Sequence, residues 1–147
     1  MPVPVRAATA DDAPHVARLL MQLGHPVTTD DVVARWPAWE AEGNAALVAE
    51  GPDGRPAGIV TLHATRVLHR PHPVGRVTSL VVDASLRGGG IGRALMAAAE
   101  EALTRAGCGI LEITSNVRRA DAHAFYEHLG YERTSVRLSR LLVPPAG

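Results

Sequence analysis

Apolar residues along the chain change their period several times, and each change marks a new element. Val3 to Ala7 reads as a short strand. Thr9 then offers a helix N-cap, with Asp11 and Asp12 in the first turn, where carboxylates complement the positive end of a helix. Val16, Leu19, Leu20 and Leu23 recur at helical spacing on one face, and Gly24 ends the helix. A second, less regular helix is predicted from Thr29 to about Ala41. Pro37 is expected to break or restart it, because proline lacks an N–H and clashes with the preceding turn. Ala45 to Glu50 and Ala57 to Ala64 read as strands joined by Gly51-Pro52-Asp53-Gly54, residues suited to a hairpin turn. His69 to Pro73 is a loop, and Arg76 to Val82 is a third strand. A long helix follows from Ile91 to Ala106, with Ile91, Leu95, Ala98 and Ala102 on one face and a Glu101–Arg105 pair outside. Gly107 stops it. Ile110 to Thr114 reads as a buried strand, Asp121 to Leu129 as a short helix closed by Gly130, and Tyr131 to Leu142 as one or two final strands. The resulting order, β-α-α-β-β-β-α-β-α-β, predicts an α+β sandwich around a mixed sheet. It reads as a single domain over residues 1–147, with 143–147 as a frayed tail.

Length and composition narrow the classes. A chain of 147 residues is one domain in size and can bury a sizeable core. Hydrophobic residues make up 46% and charged residues 20%, which argues against wholesale disorder. Fifteen basic residues balance fifteen acidic ones, so net charge points neither to nucleic acid nor to an anionic membrane. Aromatics at 3% leave no stacking platform for single-stranded nucleic acid. Cys108 is the one cysteine, which excludes an intramolecular disulfide and a cysteine-based zinc site; it reads as a small core residue. The start of the chain lacks the cationic and apolar runs of a signal peptide, and no apolar stretch approaches the roughly 20 residues that span a bilayer. The cytoplasm is the expected compartment. His69 and His72 share a loop without cysteine or carboxylate company, so no metal is expected. Trp36 and Trp39 bracket Pro37 and either pack the irregular helix or line a pocket.

The most informative segment is Val77 to Ala106, a strand, a glycine loop and a helix. Successive N–H groups can converge in such a loop, and the following helix adds its positive dipole end, so phosphate can be held there. Arg87 and Arg93 flank the loop and could add charge-assisted hydrogen bonds. A plain turn between strand and helix is the other reading. A Walker loop would require Gly-Lys-Ser/Thr, but Gly92 is followed by Arg93-Ala94. A dinucleotide fingerprint would require a third glycine where Arg93 stands, and no acidic ribose ligand lies about 20 residues on, at Gly109 to Leu111.

Arg87-x-x-Gly90-x-Gly92, after a strand and at a helix start, resembles the pyrophosphate-loop motif Arg/Gln-x-x-Gly-x-Gly/Ala of the GNAT superfamily of N-acetyltransferases. Leu80-Val81-Val82-Asp83 is similar to that family's splayed fourth strand. Asn116, Arg119, Ala120 and Phe125-Tyr126-Glu127-x-Leu129-Gly130-Tyr131 are similar to its second coenzyme-binding segment. The opening helix after Arg6 to Thr9 also fits, and the likeness covers roughly Val5 to Leu142. The resemblance implies a mixed, mostly antiparallel sheet flanked by helices, with acetyl-CoA as co-substrate and a primary amine of a small molecule or peptide as acceptor. It implies that the backbone of Leu80, Val81 and Val82 binds the pantetheine arm, with Leu80 and Val82 bonding it like an added strand. Backbone amides of Arg87, Gly88, Gly89, Gly90, Ile91, Gly92 and Arg93 would hold the pyrophosphate. Asn116 would contact the pantetheine, and Tyr126 would face the thioester sulfur. A homodimer is also implied, and the apolar Val136, Leu138, Leu141 and Leu142 could form its seam or a sheet edge.

The implied chemistry is direct attack in a ternary complex, with amides on the thioester oxygen stabilising the tetrahedral intermediate. Cys108 has no evident activating neighbour, so no covalent enzyme intermediate is expected. A phenol near 10 and a thiol near 8.5 make full proton transfer from Tyr126 uphill by roughly 2 kcal/mol, so Tyr126 needs a lowered pKa or acts as a hydrogen-bond donor. Relatives often place a glutamate on the fourth strand to relay the amine's proton. Here Arg76-Val77-Thr78-Ser79-Leu80 contains no carboxylate. Glu112 and His63 are the substitutes in view; the other route is to bind the amine already neutral. The absent carboxylate also leaves room for a non-catalytic acyl-CoA sensor of the same fold.

Overall fold

Alternating apolar residues build the sheet, and glycines decide how closely the helices approach it. The computed structural model describes residues 3–114 and 120–144, which fall into two compact units, Met1–Ile113 and Thr114–Gly147. The first contains β1 (Val5–Ala7), α1 (Ala13–Leu23), α2 (Thr29–Ala41), β2 (Ala45–Glu50), β3 (Pro56–Thr65), β4 (Val74–Val82), α3 (Ile91–Arg105) and β5 (Ile110–Ile113). The second contains α4 (Ala120–His128). The five strands form one sheet in the order β1-β2-β3-β4-β5. The first three pairings are antiparallel. β5 runs parallel to β4, reached by crossover through α3. The fold is thus α+β with a mostly antiparallel sheet.

Alternation along β3 assigns the two faces. Ile59 joins Val48, Val81 and Ala46 in a core with Val16, Leu19, Val32 and Trp36 of α1 and α2. Its neighbour Gly58 faces the other way, where a Cβ would stand 3.0 Å from both Ile91 and Leu95 of α3. At Gly75 of β4 a Cβ would stand 2.9 Å from Leu103. Two strand glycines therefore let α3 lie close to the sheet at both its ends. The buried face of α3 is Ile91, Leu95, Met96, Ala99 and Leu103. This corrects the face expected from Ala98 and Ala102, because the large side chains Met96 and Leu103 take the close-packed positions and turn the helix toward them.

Local chemistry explains the helix limits. Thr28 and Asp31 cap α2 reciprocally, each backbone N–H donating to the other's side chain at 3.0 Å. Pro37 does not interrupt α2. The burial of Trp36, its ring 4.9 Å from that of Trp39, and its Nε1–H donating to Glu40 at 3.4 Å outweigh one missing backbone bond. Thr9 precedes a single 3-10 turn, Ala10–Asp12, that leads into α1, and Gly24 closes α1 at φ 100°. In the hairpin turn after β2, Gly54 N–H donates to Gly51 O at 3.0 Å, and Gly54 has φ 79°.

Three further expectations are corrected. β5 is half-exposed, Ile110 being 37% accessible, because among the described residues this four-residue strand has a neighbour on one side only. Cys108, in the turn before β5, is likewise half-buried. Residues 131–144 contain no strand. Apolar spacing there states a preference, but a strand exists only when its backbone groups are paired. Among the described residues no helix is long and apolar enough to cross a membrane.

Candidate functional site

β4 outruns its parallel partner. Pairing with β5 covers Val74 to Val77 only, while β4 continues to Val82. On the other side β3 remains paired through Gly58↔Val82. Asp83 N–H donates to Ala57 O at 2.7 Å, directing residue 83 toward β3. Backbone direction alternates along a strand, so Val81 also bonds toward β3, and Leu80 and Val82 present their N–H and C=O groups to the open side. The Arg87 side chain donates to the Val82 carbonyl at 3.4 Å, consistent with that direction. The open stretch lies next to the glycine loop.

In the loop, Gly88 and Gly90 have φ 87° and 84°, left-handed values that favour glycine. A Cβ at either would meet nothing within 4 Å, so the space above the loop is open. Gly90 caps α3, and Ala94 N–H returns to its carbonyl at 3.0 Å. The N–H groups of Ile91, Gly92 and Arg93 precede that first bond of the α3 helix and join its positive dipole end. Arg87 and Arg93 are exposed beside them, without an ion-pair partner among the described residues. This concentration of donors and positive charge suits a diphosphate.

α1 fixes the junction between strand and loop. Arg18 pairs with Asp83 and also donates to Pro56 O at 2.9 Å, tying α1 to β3 and to the end of β4. Gln22 accepts from Ala84 N–H at 2.8 Å. The Asp83 carboxylate accepts from the backbone N–H of Ser85 at 3.0 Å and its hydroxyl at 2.8 Å. Those bonds, with Arg18, hold its carboxyl down at about 2.

At its other end, the open stretch of β4 leads into a groove of about 330 Å³ between α1, α2 and the sheet. Leu20, Val27, Trp36 and Trp39 form apolar walls, with His25 and Arg35 among the lining residues. Thr61, Thr78 and Ser79 supply hydroxyls. Consecutive residues of a regular strand point to opposite faces, yet Thr78 and Ser79 both line the groove. A bulge explains this: Thr61 pairs with Ser79 and Leu62 with Val77, leaving Thr78 as the extra residue. Thr61 hydrogen-bonds both, its hydroxyl 2.7 Å from that of Thr78.

Of the expected site residues, Leu80, Val82 and Arg87 to Arg93 lie together in the first unit, whereas Val81 is buried in the core with its backbone toward β3 and backs the open edge rather than forming it. Asn116 and Arg119 lie outside the described residues. Tyr126 lies in the second unit, half-buried, its ring 5.4 Å from Phe125 and 6.2 Å from Tyr131, both edge-on. Glu112 is paired with Arg76 at 3.2 Å, beside the closed part of β4, and His63 stands opposite Arg76 in the β3–β4 register. Neither lines the groove. Among the described residues no three His, Cys, Asp or Glu side chains come together as a metal site. His25, Arg35 and the three hydroxyls were not legible as site residues. They come from four separate elements or loops, and only the bulge and the packing of α2 on the sheet bring them together.

Residues 14–131 match the sequence model of the Acetyltransferase (GNAT) family. Over 90 residues the chain is 37% identical to an aminoalkylphosphonate N-acetyltransferase of Salmonella typhimurium, an overlap covering 61% of this chain and 58% of that protein. Over 137 residues it is 31% identical to an aminoglycoside N(6')-acetyltransferase type 1 of Stenotrophomonas maltophilia, covering 88% of this chain and 86% of that one. A crystal structure of a Trypanosoma brucei acetyltransferase superposes with a TM-score of 0.79 at 27% identity, over 96% of this chain and 99% of the other.

Proposed function

Because the chain belongs to the GNAT acetyltransferase family, we propose that it transfers an acetyl group from acetyl-CoA to a primary amine of a small molecule or peptide by direct attack. One observation carries this reading: the unpaired edge of β4 runs from the glycine loop to the groove. The amides of Arg87 to Arg93, with the two arginines, bind the diphosphate. Leu80 and Val82 bond the pantetheine arm as an added strand would. From Val82 to Ser79 is about 10 Å at the rise of a β-strand, so the arm delivers its thioester end to the groove that holds the amine.

Two assignments complete the reading from the family pattern. Asn116 contacts the pantetheine, and the Tyr126 hydroxyl donates to the departing sulfur. The two curated relatives are named for different acceptors, an aminoalkylphosphonate and an aminoglycoside, and both names describe transfer to nitrogen. Among the described residues no carboxylate lines the groove to take the amine's proton, and the chain binds the neutral fraction of the amine. The reaction draws on the cytoplasmic acetyl-CoA pool, and the protein works as a homodimer.

The test is calorimetric titration with acetyl-CoA, paired with thiol release in the presence of an amine panel. A one-site isotherm and amine-dependent release of CoA are expected. Gly90→Val should weaken binding severely, since valine resists φ 84° and its side chain fills the space above the loop. Unchanged affinity in a folded Gly90→Val protein would sink the loop assignment.

A further inference from the structure

The groove beside β4 is chemically two-ended, and its charge has one sign. The hydroxyls of Thr61, Thr78 and Ser79 lie where the open edge of β4 enters, and they can accept hydrogen bonds from an amine. Among the described residues the ionisable side chains lining the groove are His25 and Arg35, and neither can carry negative charge. α2 carries the carboxylates of Asp30, Asp31 and Glu40, and none of them lines the groove. Asp31 accepts from the backbone of Thr28 at 3.0 Å, and that bond and, more weakly, the Arg35 charge one turn on hold its carboxyl low without forming a salt bridge; Glu40 accepts from Trp36 Nε1, and neither lines the groove. Arg35 has no salt-bridge partner among the described residues. Its guanidinium is thus available, beside aromatic and aliphatic walls, with the planar fork that fits a carboxylate or phosphonate bidentately. At about 330 Å³ the groove is at the bottom of the range for small-molecule sites.

We propose that the acceptor is a small amine that also carries an anionic group, a phosphonate, phosphate or carboxylate, with the anion held by Arg35 and the amine at the Thr61–Thr78–Ser79 hydroxyls. This rests on the acetyltransfer reading above. The neutral nitrogen attacks the thioester carbonyl, the carbon–sulfur bond breaks, the nitrogen gives up a proton and the sulfur leaves as the thiol after gaining one. The products are the N-acetylated anion and CoA. The same lining disfavours polycations, since no negative side chain among the described lining residues partners their additional ammonium groups, which are set against Arg35.

The experiment compares kcat/KM for 3-aminopropylphosphonate, n-butylamine and spermidine, in the wild type and in Arg35→Ala and Arg35→Lys. Arg35 is exposed, so both variants should keep the wild-type melting temperature within a few degrees. In the wild type the phosphonate should be preferred over butylamine at least tenfold, and spermidine should be the poorest. Arg35→Ala should reduce the phosphonate-to-butylamine ratio by about 10- to 100-fold, mostly through KM, the size of a lost charge-assisted hydrogen-bond pair. Arg35→Lys should recover part of that ratio. Equal use of butylamine and phosphonate, preference for spermidine, or a ratio unmoved by Arg35→Ala would overturn the assignment while leaving acetyl transfer standing. Failure of every amine to release CoA, despite tight acetyl-CoA binding, would overturn both.

Discussion

Tyr126 packs edge-on against Phe125 and Tyr131, and Tyr126→Phe removes one hydroxyl while keeping those ring contacts. If that hydroxyl donates to the departing sulfur, its loss affects an interaction that strengthens as charge develops, and kcat should suffer more than binding. A fall in kcat of about 100-fold is expected, the low end for general-acid assistance because water can substitute, with acetyl-CoA affinity unchanged within about threefold. Wild-type turnover by Tyr126→Phe would make Tyr126 a packing residue and end its role as donor to the sulfur. The proton on the acceptor gives a second test at this scale. With hydroxyls at Thr78 and Ser79 and no carboxylate among the described groove residues, the proposed reacting form is the neutral amine, about one part in a thousand at pH 7 for an alkyl amine of pKa near 10. A plot of log(kcat/KM) against pH should therefore climb with unit slope from pH 7 to 9, and its plateau should move with the amine's own pKa. An inflection that stays in place when the amine is changed would instead identify a base on the protein, with His25 the side chain to replace first.

Elements set the loop's position, and small residues decide whether they can. Ile91, the first residue of α3, rests on Gly58, while Leu103 near its last turn rests on Gly75. Alanine at 58 would crowd Ile91, Leu95 and the Val81 carbonyl, displacing the end of α3 that forms the anion site. Alanine at 75 would crowd the far end. Both substitutions should destabilise by about 1–3 kcal/mol, but only Gly58→Ala should also weaken acetyl-CoA binding; calorimetry on the two variants separates these effects. At the sheet's opposite edge, Arg6 donates two 2.9 Å bonds to the carboxylate of Asp12, which is 7% exposed, and one of 2.8 Å to Glu50. The Arg6 hydrogen bonds hold the Asp12 carboxyl below its ordinary value. A carboxyl lowered on folding stabilises above its unfolded value near 4, and that contribution is lost as pH falls through the folded value. Asp12→Asn should cost about 1–2 kcal/mol at pH 7, discounted for the partly exposed Arg6, and its melting temperature should converge on the wild type's below pH 4. The order of elements through β5 was legible because period and punctuation agree, as at Gly24 and Gly107. The continuity of α2 through Pro37 and the inward face of α3 were not, because burial of Trp36 and closeness to the strand glycines are tertiary facts.

At the scale of the whole molecule, legibility divides the candidate site in the same way. The loop from Arg87 to Arg93 is contiguous, so its chemistry can be read along the chain, whereas the groove depends on Thr61 meeting Thr78 and Ser79 across a bulge. The last segment shows the converse: its apolar spacing was legible, but its partner was not. Val136, Leu138, Leu141 and Leu142 are 82%, 91%, 75% and 92% exposed, and residues 131–144 form no strand. A monomer rarely leaves so many large apolar side chains of one segment in water, and exposure of this kind marks an association surface or an aggregation liability. Exposing backbone and apolar side chains together also invites pairing with an identical segment, and symmetric association of two copies would cover both. At about 25 cal/mol per Å² of apolar surface removed from water, burying these leucines and valines is a driving force of several kcal/mol per chain. Light scattering on the eluting peak at micromolar concentration should therefore give twice the chain mass of 15.5 kDa. Leu138→Glu together with Leu142→Glu should shift it to the single-chain mass while the acetyl-CoA isotherm persists, because neither leucine is among the residues assigned to the coenzyme. A single-chain mass for the wild type would reject the dimer.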